Sequence, residues 1–231
     1  MTNIPVERTV SSILGPMNDV QAKNAPKTLY VCGDESLLNR GPRVAIVGSR
    51  SASPDGLRRA SVLATFLGER DIVVVSGLAA GIDTAAHLGA MDAGGHTIAV
   101  LGTSLDQSYP PENAALQARI AADHLLVSQF ASGSRASPKH FPMRNRTMAL
   151  LTDATVIVEA GERSGTRHQG WEALRLGRLV FLLESVVRDT SLTWPAEMIK
   201  FGAQILTREN LPRMAQNLPA MTVAFDIAQA A

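Results

Sequence analysis

From residue 28 onward the apolar positions gather into short β-branched runs, each separated from the next by a longer stretch with helical spacing. The runs are Thr28 to Cys32, Val44 to Val47, Ile72 to Val75, Thr97 to Leu101, Leu125 to Ser128, Thr155 to Val158, Leu179 to Leu183 and Gln204 to Leu206. VAIV, DIVVV, TIAVL and TVIV carry no polar alternation, which is how strands covered on both faces read. Helix starts lie between them: Ser53 with Pro54 and Asp55 behind it, Asp83 opening DTAAHLGAM, and Pro110-Pro111-Glu112 before NAALQARI. This βαβα succession predicts an α/β fold, Rossmann-like and doubly wound, with a mostly parallel sheet and helices on both faces.

The pattern divides the chain into an N-terminal extension at 1–27, one domain at 28–210 and a C-terminal tail at 211–231. Pro5 to Leu14 reads as a short docking helix. Leu218 to Ala231 is too apolar for a free tail, and reads equally as a terminal element on the domain or a contact with another chain.

With 231 residues, 45% hydrophobic and 19% charged, the chain has enough apolar matter for one large core and too much for disorder. No apolar run approaches the roughly 18 residues of a membrane helix, and the N-terminus MTNIPVERTV has no signal-peptide pattern. A cytoplasmic protein without membrane contact is expected. The lone cysteine, Cys32, rules out an internal disulfide and a cysteine-rich zinc site.

The net charge of +1 is uninformative, but its composition is not: only four of the 22 basic residues are lysines, and arginine favours planar, bidentate contact with phosphate or carboxylate. Between Asp123 and Asp153 no acid occurs, whereas Arg135, Lys139, Arg144, Arg146, His124 and His140 do. That stretch reads either as a solvated loop or as a basic surface.

In an open parallel sheet, ligands bind beyond the carboxyl ends of the strands, so the segments that follow the strands matter most. They are Gly48-Ser49-Arg50, the SGLAAGID run from Ser76 to Asp83, Gly102 to Asp106 leading to Tyr109, the acid-free segment ending in Phe141-Pro142-Met143-Arg144-Asn145-Arg146, and Glu159 to Thr166. Glycines permit close backbone approach, and the helix behind each loop offers unpaired N–H groups and a partial positive charge. Arg50, Arg144 and Arg146 add charge-assisted bonds to phosphate, and Phe141 or His140 offers a face for a base. A phosphate-bearing ligand, either a nucleotide or a nucleic-acid backbone, is expected at this edge.

Enzymatic signatures are lacking. GxxxxGK[ST], GxGxxG and GxSxG do not occur. Asp83 and His87 share a helix face, but the pair reads as a helix cap and a buried turn, not as metal ligands. Glu159 reads as a loop anchor, and Glu159 and Glu172 become acid–base candidates only if a substrate reaches them. No catalytic residue, metal site or cofactor is assigned. Trp171 and Trp194 read as core.

The succession VAIVGSR, VVSGLAAGIDTAAHLGAMDAGGHTIAVLGTSLDQSYPPEN and FPMRNRTMALLTDATVIVEA resembles the DNA-processing protein A family (DprA, or Smf) over about residues 28 to 206. The resemblance implies an extended Rossmann-like fold, dimers, and sequence-tolerant, non-catalytic binding of single-stranded DNA with help in loading a RecA-type recombinase. It implies a phosphate-binding turn at Gly48, Ser49 and Arg50, and a basic, stacking surface at Lys139, Phe141, Arg144, Asn145 and Arg146. Ser76, Gly77, Gly81 and Asp83 would build the adjoining pocket, with Ser164, Gly165 and Thr166 beside it. The chain resembles a short, Rossmann-only member without the winged-helix domain that many members carry. Two stretches depart from the family pattern: Ser164 to Glu172 is longer in side chain and more charged than the usual SG-S-x-x-TA, and Gln129-Phe130 stands in place of Ser-Glu. Two other expectations stand beside DNA binding. One is an antitoxin or sensor that pairs with a toxin or effector protein. The other is a nucleotide-processing, phosphoribohydrolase-like enzyme using Ser164-Gly165-Thr166 and Glu172.

Overall fold

The computed structural model describes residues 4–219. Every run marked as a strand is one, with bounds that agree to within one residue. In chain order the elements are β1 (Val6–Thr9), α1 (Val10–Leu14), α2 (Asp19–Ala22), β2 (Thr28–Gly33), β3 (Arg43–Gly48), α3 (Pro54–Gly68), β4 (Val73–Ser76), α4 (Ile82–Asp92), β5 (Thr97–Leu101) and α5 (Ala114–Asp123). They continue as β6 (Leu125–Ser128), α6 (His140–Leu151), β7 (Ala154–Glu159), α7 (Thr166–Arg175), β8 (Leu179–Leu183), α8 (Glu184–Val187), α9 (Trp194–Lys200), β9 (Gln204–Leu206) and α10 (Leu211–Gln216).

The sheet runs β1-β2-β6-β5-β4-β3-β7-β8-β9. β3 to β9 are parallel, while β1 pairs antiparallel with β2 and β2 antiparallel with β6. After β3 the chain winds outward through β4, β5 and β6, then returns to lay β7 on the other side of β3. The crevice between the carboxyl ends of β3 and β7 is therefore the topological switch point.

Alternate residues of each central strand enter different cores. Ala45 and Val47 of β3 face α6, α7 and α9 with Met148, Ala173 and Met198. Val44 and Ile46 face α3 and α4 with Leu63, Leu67 and Ala86. Covering on both faces explains why the strand runs lack polar alternation. Ser53 caps α3 as expected, accepting the Gly56 N–H at 3.0 Å, with Pro54 in the first turn. Such a cap contributes about 1 kcal/mol.

The N-terminal extension corrects one expectation. Only the second half of Pro5 to Leu14 is helical; Val6–Thr9 adds an edge strand to the sheet, and Thr9 then caps α1. At the other end Met214 of α10 enters the core, and Leu218 packs on it. The rest of the apolar stretch to Ala231 lies outside the described residues. Trp194 is core at 1% exposed, but Trp171 is only half-buried and meets the exposed Phe201 edge-on at 5.4 Å.

Candidate nucleic-acid interface

At the switch point lies a cavity of about 580 Å³. Segments following β3, β4, β6 and β7 enclose it, as the parallel topology requires. The turn after β3 is fixed from both sides: the Ser49 N–H donates to the Glu159 carbonyl at 2.7 Å, and the Ser49 carbonyl accepts the Ile82 N–H at 3.2 Å. Glu159 itself anchors α3, its carboxylate accepting the Ser53 N–H at 2.8 Å. The loop-anchor reading of Glu159 holds, and Glu172 is paired with Arg146 and Arg175.

Arg50 stands exposed at the mouth of this cavity, its guanidinium carbon 5.0 Å from the centre of the Phe141 ring. Phe141 in turn meets Tyr109, 47% exposed, at 5.2 Å. An arginine and two rings in sequence form a ridge that can take phosphate at one end and base faces along it. His140 has no such freedom, because it is stacked on Phe130 at 3.9 Å with the planes 11° apart.

Phe141 to Arg146 lie in the first turns of α6, not in a loop, and this changes the role of Arg144. Helical phase turns Arg144 inward, leaving it 5% exposed. Its Nη1 donates to the Val100 carbonyl at 3.2 Å and lies 3.8 Å from the Asp83 carboxylate. Asp83 accepts the N–H groups of Gly77 and Ala79 at 3.1 and 3.3 Å. Burial pushes the Asp83 carboxyl up and the Arg144 guanidinium down, each partly offset by the other's charge. Arg144 thus floors the cavity as half of a buried ion pair.

Other expected residues divide in the same way. Ser76 is fully buried, its hydroxyl donating to the Ile46 carbonyl at 2.7 Å, so it ties β4 to β3. Gly77 lies beneath Arg144, where a Cβ would sit 1.2 Å from Nη1. Gly81 caps α4 with φ of 77°, bringing its backbone against the Ser49 carbonyl. Gly48, Ser49, Asn145, Ser164, Gly165 and Thr166 do line the cavity. The Thr166 hydroxyl donates to the Gly48 carbonyl at 3.0 Å, joining the start of α7 to the turn. Lys139 is exposed at the start of α6, whereas Arg146 faces away from the cavity and pairs with Glu172 at 3.2 Å.

Asp83 corrects the cap reading, because Gly81 is the N-cap of α4 without a side-chain cap bond and Asp83, in the first turn, accepts instead from the loop N–H groups of Gly77 and Ala79, while His87 is buried within α4. The Thr97 hydroxyl donates to the Val74 carbonyl at 2.9 Å, so the His87 ring, 2.7 Å away, must donate from Nδ1. Burial holds this imidazole neutral, with its pKa pushed down to about 3.

Arg163, His168, Gln169 and Tyr109 were not among the residues assigned from sequence. The first three line the cavity. Gln169 stands three residues after Thr166 on α7, hence on the same helix face, which is the signal that places it there.

A sequence model of the family described as DNA recombination-mediator protein A matches residues 14–216. The chain is 41% identical to DNA processing protein DprA of Streptococcus pneumoniae over 184 residues, 80% of this chain and 64% of the relative. It is 39% identical to the putative DNA processing protein DprA of Mycobacterium tuberculosis over 186 residues, 80% of this chain and 48% of the relative. The chain therefore spans only about half to two thirds of the length of these curated relatives. Among solved structures, DprA of S. pneumoniae matches with a TM-score of 0.78 at 33% identity, covering 93% of this chain and 74% of that one. DNA processing protein A of Helicobacter pylori, described for its single-stranded DNA binding mode, matches with a TM-score of 0.78 at 27% identity, covering 97% and 98%. With the match running from the end of α1 to the end of α10, over both the sheet and the loops of its switch point, the chain belongs to the DNA recombination-mediator protein A family, DprA or Smf.

Proposed function

We propose that this chain binds single-stranded DNA along the switch-point edge and serves as a recombination mediator, without chemistry of its own. One observation carries the reading: exposed Arg50 and Tyr109 flank the half-buried Phe141 in a cation-and-ring ridge beside a glycine-lined cavity at the start of α7. Phosphates suit the arginine and the helix start, and bases suit the rings. The H. pylori relative described as binding single-stranded DNA shares the fold over nearly its whole length. Action as a homodimer that hands a coated strand to a RecA-type recombinase extends this reading. So does a cytoplasmic setting; among the described residues no helix is long and apolar enough to cross a membrane.

Fluorescence anisotropy with a labelled single strand tests it. Wild type is expected to bind with an affinity that falls steeply with salt. Arg50→Ala, at an exposed position that the core does not use, should weaken binding about tenfold and flatten the salt slope by about 0.7 for each phosphate left without its cation. Unchanged affinity in Arg50→Ala, or salt-insensitive binding by wild type, contradicts the proposal.

A further inference from the structure

On the side of the sheet that α3 and α4 cover, a groove of about 800 Å³ is left open between α3 and α10. It is larger than the cavity at the switch point and more apolar in its lining. Arg58, Val62 and Phe66, four residues apart on one helix face, form its wall on α3. Leu183 and Leu206, at the ends of β8 and β9, lie at its floor, and Leu211 of α10 closes it from the other side. α10 has six residues; its Met214 shares a core with Phe181 and Leu206, but Leu183 stays half-buried and Val62 is 61% exposed. A contiguous apolar patch of this kind marks a place where something docks.

Charge and chain connectivity both indicate the occupant. The lining carries three cations, Arg58, Arg59 and Arg208, and one acid, Glu184, which Arg188 already holds at 2.7 Å. Asp55 and Glu159 meet Arg58 and Arg59 from outside the groove, whereas Arg208 stands exposed at its edge. The complement is an apolar segment with an acid and no cation. Beyond Arg213 the sequence has no lysine or arginine, and of residues 220–231 only Thr222, Asp226 and Gln229 are polar. α10 delivers that segment: Leu211 at its start walls the groove, and Leu218, just past its end, packs on the core that holds Leu63 and Leu206. The helix is about 9 Å long, and twelve residues reach about 40 Å when extended, so the segment can return along α10 into the groove. Tethered there, it meets the groove at an effective concentration on the order of millimolar.

We propose that residues 220–231 fill the groove between α3 and α10 of their own chain, with apolar side chains against Val62, Phe66 and Leu183 and with Asp226 toward Arg208. The segment then completes this face of the domain and is not a contact with another chain. The inference stands independently of strand binding at the switch point.

Chymotrypsin digestion under native conditions tests it, read by mass spectrometry as the rate of cleavage after Phe225. Cleavage needs the segment out of the groove, so the rate follows the undocked fraction. Val62→Glu puts a charge into the apolar wall and opposes Asp226, yet it suits the exposed face of α3, where Arg58 and Arg59 lie one turn away. It should raise the rate about tenfold, which corresponds to about 1.4 kcal/mol of docking. Arg208→Glu, at an exposed position, should raise it about threefold. Phe181, buried in the core beneath, stays uncut in any variant that is folded. The wild-type rate should be the same at every protein concentration. Wild-type rates in both variants overturn the inference, because the segment then does not feel the groove. Protection that grows with protein concentration overturns it as well, and assigns the groove to the segment of a second copy.

Discussion

Replacing Arg144 by methionine is expected to destabilise the protein by about 3–5 kcal/mol. The substitution keeps most of the aliphatic volume but leaves the Asp83 carboxylate, 5% exposed, without its countercharge, and the Val100 carbonyl without the Arg144 donor. Breaking one side of a buried pair costs more than the pair contributes, because the remaining charge stays out of water. Changing both partners, Asp83→Leu with Arg144→Met, should therefore cost less than the sum of the single changes. Urea denaturation of the three variants checks this. A stable, folded Arg144→Met that loses only strand binding would instead make Arg144 a ligand contact, as the sequence alone suggests.

Gly81→Ala should abolish strand binding while destabilising the fold by about 1–3 kcal/mol. Gly81 holds φ of 77° and ψ of −124°, a backbone state that side chains resist. A Cβ there would lie 2.3 Å from the Ser49 carbonyl oxygen and 2.7 Å from that of Arg50. Neither neighbour is a flexible side chain, so the turn after β3 must shift. The shift breaks the bond from the Ile82 N–H to Ser49 and carries Arg50 away from Phe141. Gly94→Ala is the control, because φ there is 69°, a Cβ meets open space, and the position lies outside the cavity. Comparing melting and strand affinity of the two variants separates a displaced turn from general damage, and equal affinities would refute the coupling.

The sheet is readable in the sequence because strands covered on both faces leave uninterrupted apolar runs, and the switch point follows from what stands behind those runs. Three features are hidden for physical reasons. Val6–Thr9 is too short to show alternation, and only its pairing with Thr28 to Val31 makes it a strand. Arg144 sits in an acid-free segment, so its countercharge is invisible along the chain; Asp83 meets it only because α6 crosses over the loop after β4. His140 offers a ring on paper, but Phe130 already occupies its face. Gln169 shows the opposite case. The unusual chemistry of Ser164 to Glu172 is plain in the sequence, yet which of its side chains faces the cavity depends on the phase of α7, set by Thr166.

Photocrosslinking tests the location of the interface most directly. A single strand carrying photoreactive pyrimidines is bound to the wild-type protein, irradiated, and the adducts are mapped by mass spectrometry. Adducts at Phe141 and Tyr109, suppressed by an excess of unlabelled strand, are the predicted result. Adducts confined to the apolar groove of Val62, Phe66 and Leu211, with none at the switch-point edge, would contradict the placement of the site.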